Sequence, residues 1–201
     1  QQYEERADHL ELAAFSSKTA LTTDAEEWIR SLTGSGAKLL VGPRGCGKTH
    51  LMRFAFTQCI ADPDLPLAVY INLNRYYTLE PLLRRRPEAM SMFYVWVLAN
   101  VMVGCHESLE SLNAQSLDRA TDIDALLEFN ETELRDLIGA YEKNQPLSAE
   151  LNEVASRLTI DRVKQLLLRS ADALGRRRIV LLLDDAALTL TPEYLSHFFD
   201  I

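Results

Sequence analysis

Cysteine is scarce in this chain, with three in 201 residues. Cys46, Cys59 and Cys105 are odd in number and none forms a C-x-x-C pair, which argues against a disulfide framework and a thiolate zinc site. Reduced thiols are expected. Glycine and proline are also few, at 8 and 7 residues, too few for a low-complexity or disordered chain. Positive charge is in deficit, with 21 Lys and Arg against 29 Asp and Glu and a net charge of −8. Such a surface repels a polyanion unless basic residues cluster. The clusters at 84–86 and 176–178 each border a predicted element, which favours solvated or capping roles over nucleic-acid contact. No apolar run reaches the ~20 residues needed to span a bilayer. The longest, 90–103, contains Ser91 and Asn100 and reads as a buried helix. No charged segment leading into an apolar one opens the chain, so no secretory signal is read and the cytoplasm is the expected compartment. His9, His106 and His197 have no metal-ligand spacing.

What is present is a globular composition, 47% apolar and 25% charged, sized for one domain or one domain with an insertion. Residues 1–33 read as a helical lead-in: Thr23 with Glu26 fits a capping box, and Trp28, Ile29 and Leu32 follow at helical spacing. After Gly34 and Gly36, the apolar segment 37–41 reads as a first buried parallel strand. From Gly47 the pattern turns helical, with Leu51, Met52, Ala55, Phe56, Cys59 and Ile60 at three- and four-residue intervals until the prolines at 63 and 66. A second strand follows at 67–73. The core so outlined, 34–77, precedes a helical insertion over 78–176, with helices expected at the Met90 segment, 123–141, 148–158 and 159–174, and Gly175 as a stop. The final portion, 177–201, holds a third apolar strand at 179–183 and a helix beginning near Thr191 and Pro192. The chain begins at Gln1, and Ile201 falls inside a patterned apolar segment, so a piece of a larger protein is expected.

The sequence VGPRGCGKTH satisfies G-x-x-x-x-G-K-[ST], with Gly42, Gly47, Lys48 and Thr49 in the defining places. Gly42, Gly45 and Gly47 would allow backbone angles that a Cβ forbids, letting successive N–H groups curl around phosphate oxygens at a helix N-terminus. Pro43, Arg44, Cys46 and His50 complete the expected nucleotide-binding segment. Lys48 would reach the β- and γ-phosphates, and the Thr49 hydroxyl would ligate Mg²⁺. A chance glycine turn is the alternative, but a strand before the motif and a helix after it are the confirming context. ATP is the expected ligand, with GTP open because such a loop reads phosphates rather than bases. Cys46 reads as a small residue that fits the loop, in preference to a redox switch. For His50, packing or exposure is favoured over catalysis.

In IVLLLDDAA an apolar strand delivers Asp184 and Asp185 to its carboxyl end, the edge where open parallel sheets bind ligands. Asp184 is the expected Mg²⁺ ligand, and Asp185 is placed to orient or deprotonate an attacking water. Asn72, Asn74 and Arg75 end the second strand near that edge, and satisfied polar contacts are the favoured reading of them.

The segments LLVGPRGCGKTHLMR and RRIVLLLDDAA resemble the additional-strand P-loop ATPases, particularly the AAA+ and STAND branches, including bacterial replication-initiator-like ATPases. The resemblance implies a three-layer α/β P-loop NTPase fold with a parallel sheet and a long helical insertion between the second strand and the Walker B strand. It gives Lys48, Thr49 and Asp184 the phosphate, Mg²⁺ and Walker B roles. Lys48 and Asp185 become the catalytic pair, Asp185 standing where AAA+ proteins usually carry a Glu. The shorter acid implies slow hydrolysis and a switch rather than a motor. In such a sheet the sensor strand follows Walker B in sequence and lies between it and the P-loop strand. Sensor residues, lid and arginine finger are therefore expected outside these 201 residues, leaving this piece weak or inactive in hydrolysis. The expected function is an ATPase switch controlling assembly or an attached effector, with bacterial antiviral defence as the analogy. The rivals are a DNA-handling ATPase resembling replication initiators or helicase loaders, a nucleotide-dependent scaffold that never hydrolyses, and a small-molecule kinase. Self-association or a protein partner is expected through the insertion, with no membrane partner and no charge signal for nucleic acid.

Overall fold

The computed structural model describes residues 23–43, 45–75, 79, 89–115 and 122–185. Within them lie helices α1 (Thr23–Leu32) and α2 (Lys48–Ala61), strand β1 (Leu67–Asn72), helices α3 (Ala89–Gln115), α4 (Ile123–Leu127), α5 (Glu131–Glu142), α6 (Ala149–Arg157) and α7 (Ile160–Ala173), and strand β2 (Ile179–Asp184). The fold is mixed α/β and mostly helical. The expected final helix, His9, His197, the 84–86 cluster and the side chains of the Thr23–Glu26 capping pair lie outside the described residues.

The strands pair in parallel, from Leu67 opposite Ile179 to Asn72 opposite Asp184. Both are nearly continuous apolar runs; β1 is largely buried, whereas β2 leaves Leu181 43% exposed. Side-chain alternation sorts them between two helical layers. Ala68, Tyr70, Val180 and Leu182 pack with Phe54, Phe56, Cys59 and Ile60 of α2. Val69, Ile71, Ile179 and Leu183 pack with the cluster built on α3, including Phe93, Trp96 and Met102.

The expected first strand at 37–41 is not formed. Leu39 and Val41 are 69% and 78% exposed, and the sheet among the described residues consists of β1 and β2 alone. A strand is made by a neighbour that takes up its N–H and C=O groups, and apolar composition alone supplies none.

Helix α3 runs for 27 residues, longer than its apolar segment foretold, and by length and composition it could cross a membrane. Here it is the central core helix, with Trp96, Ala99, Met102, Cys105 and Leu109 buried. The single helix expected over 123–141 is split. Glu128 adopts a positive φ of 59°, and the Asn130 side chain caps α5 by accepting from the N–H groups of Thr132 and Glu133. The intervening Phe129 is buried, and its carbonyl lies 2.9 Å from His106 Nε2. Ser148 and Thr159 cap α6 and α7 as local rules predict, and Gly175 follows α7 with φ 68°. Arg176 departs from the solvated reading. It is 6% exposed and donates to the carbonyls of Asp62 and Leu65 in the turn that joins α2 to β1. Arg177 and Arg178 are exposed.

Candidate nucleotide site

The loop before α2 turns on two glycines in the left-handed region, Gly45 at φ 84° and Gly47 at φ 87°. Gly47 is the N-cap residue and brings no side-chain cap, and the first turn of α2 holds no acidic residue. The opening N–H groups of a helix lack intrahelical partners, and a first turn without acidic residues leaves the positive end of the helix dipole favourable to an anion. Gly42 differs from its expectation: its φ is not positive. A Cβ there would meet only Cys46 Sγ, at 2.8 Å, the end of an exposed side chain that can rotate away. Lys48 Nζ is turned into the loop, donating to the carbonyls of Gly42 and Pro43 at 2.9 Å each and lying 3.8 Å from Cys46 Sγ. Arg44 lies outside the described residues. Thr49 and His50 are half-buried, and burial lowers the His50 pKa, favouring its neutral form.

Two contacts orient α2 against the sheet. At its end, Arg176, just ahead of β2, donates to the Asp62 carbonyl. Nearer its beginning, the Phe56 ring lies 6.4 Å from that of Tyr70, whose hydroxyl reaches Asp184 at the other end of β2. The helix therefore runs antiparallel to the strands. Its Lys48 end is directed toward their carboxyl ends, where Asp184 lies.

Asp184 is the last residue of β2 and is 2% exposed. A buried carboxylate is tolerated only when donors compensate its desolvation. Both oxygens have one: Tyr70 Oη donates to Oδ2 at 2.8 Å, and the Asp185 N–H donates to Oδ1 at 3.0 Å. Asp185 holds a positive φ of 57°, a left-handed conformation that Asp adopts more readily than most residues with a Cβ. Tyr70 was missed by sequence reasoning. Its signal was its place two residues before Asn72 in β1, which puts it on the sheet face of Val180 and Leu182. Asn72 Oδ1 accepts the Asn74 N–H at 2.9 Å, and Arg75 pairs with Glu142 at 3.3 Å, so these residues make polar contacts as expected.

The residues present fit a Mg²⁺–nucleotide. The glycine turn and the start of α2 would supply N–H donors and Lys48 the cation, and the Thr49 hydroxyl and the Asp184 carboxylate are hard oxygens of the kind Mg²⁺ takes. Bound Mg²⁺ would neutralise phosphate charge and polarise the terminal phosphoryl group. Comparison with protein-family models, curated proteins and solved structures finds no match to this chain.

Proposed function

We propose that this chain binds ATP with Mg²⁺ through residues 42–49 and Asp184, and acts as a nucleotide-dependent switch of AAA+ or STAND type. The observation that carries the reading is the orientation of α2. A helix opened by Gly47, Lys48 and Thr49 lies antiparallel to the strands on the face that bears Tyr70 and Asp184, so the phosphate loop and the acidic strand end are directed to one edge. Helices packed on both faces of the parallel β1–β2 pair are compatible with a three-layer core. The strand that the motif calls for ahead of its loop, at 37–41, is not formed, so the additional-strand class rests on the sequence motifs.

In this reading Lys48 and Asp185 are the catalytic residues, and Asp185 activates water slowly. Nucleotide occupancy is then the signal. The proposed partner surface is the helical insertion, supported by the exposed apolar side chains of Ile160 and Leu168 on α7. A cytoplasmic setting belongs to the same proposal.

Equilibrium binding of a fluorescent ATP analogue to the 201-residue chain, with Lys48→Ala alongside, tests it. Saturable binding weakened at least tenfold in Lys48→Ala is expected. Equal binding by the variant would overturn the assignment. Tighter nucleotide binding when DNA is added would favour the DNA-handling reading.

A further inference from the structure

We infer that Tyr70 is a positioning residue for the metal half of this site, holding the Asp184 carboxylate in one orientation toward the cation. The inference rests on the nucleotide reading above and adds a residue that the phosphate-loop and acidic-strand motifs do not contain.

Tyr70 lies in β1 opposite Leu182 in the ladder, and Asn72 lies opposite Asp184. Its ring is half-buried beside Phe56, so its direction is set by packing between α2 and the sheet. The hydroxyl reaches Asp184 Oδ2 at 2.8 Å. An ionised carboxylate can only accept, so in this contact the phenol is the donor. The Asp185 N–H on Oδ1 completes a two-point clamp. A carboxylate oxygen has two lone pairs, so an oxygen that accepts one hydrogen bond keeps a second pair for a cation or for water bound to it. The clamp thus orients Asp184 and leaves it able to ligate. Partners of this kind, one shell out from a metal, typically tune its affinity 10- to 100-fold.

The bland alternative is that Tyr70 only satisfies a buried acid, in which case its loss affects folding and leaves metal dependence unchanged. The experiment is a Mg²⁺ titration of fluorescent ATP-analogue binding to the wild-type chain, Y70F, D184N and the double variant, with binding in EDTA as the metal-free reference. Circular dichroism checks that each is folded. Tyr70→Leu, whose side chain has no hydrogen-bond donor, is the second variant should Y70F not fold.

The expected result is unchanged binding in EDTA for Y70F and a Mg²⁺ midpoint raised about tenfold, with no further shift when Y70F is added to D184N. A Y70F midpoint within twofold of wild type, or an equal shift in the D184N background, would overturn the role of Tyr70 while leaving the nucleotide site standing. A wild-type chain that binds no nucleotide would overturn both.

Discussion

Gly104 of α3 lies against the backbone of Tyr70. A methyl group built on it would stand 2.7 Å from the Tyr70 carbonyl oxygen and 3.1 Å from Val69 Cγ1. The main helix of the insertion thus touches the strand whose hydroxyl clamps Asp184, through a position where only glycine fits.

Gly104→Ala is expected to destabilise the protein. Alanine gains about 1 kcal/mol over glycine inside a helix, but overpacking a core contact costs roughly 1–3 kcal/mol, and a backbone carbonyl within a strand gives way less easily than the end of a side chain. Urea denaturation should show a lower midpoint for the variant. A midpoint at or above wild type would mean that α3 and β1 are not in this close contact.

The three thiols should separate sharply in reactivity. Burial pushes Cys59 up to about 11 and Cys105 up to about 12, and both are almost inaccessible, so neither offers thiolate at pH 8. Cys46 is exposed. Iodoacetamide followed by mass spectrometry should label Cys46 alone in the native protein and all three thiols in urea, with Mg²⁺–ATP slowing the labelling of Cys46. Native labelling of Cys59 at the rate of Cys46 would contradict the packing of α2 on the sheet.

Acid should weaken the insertion through Glu128, which links α4 to α7. The hydrogen bond from Arg169 at 2.8 Å, aided by the Arg162 charge, holds the Glu128 carboxyl below its ordinary 4.5. A carboxylate whose folded pKa is depressed adds stability that is fully present above its unfolded value and is lost as pH falls through the folded one. The melting temperatures of wild type and Glu128→Gln should therefore differ by a constant amount from pH 7 to about pH 5 and converge below pH 4.5. A gap unchanged down to pH 3 would show that these ion pairs contribute nothing.

Features decided within a few residues were legible from the sequence. The left-handed glycines at 45 and 47, the start of α2, the Ser148 and Thr159 caps, the Gly175 stop and the acid at the end of β2 each follow from a local rule of backbone geometry or side-chain capping. Other features needed partners far along the chain. Tyr70 and Asp184 meet across 114 positions, and Arg176 finds the Asp62 and Leu65 carbonyls across comparable gaps. Residues 37–41 carry the composition of a buried strand and are not one. Composition sets what a segment can bury, but a β-ladder exists only when a second backbone lies alongside, so the tertiary structure decided the strand pairing, the clamp on Asp184 and the burial of Arg176.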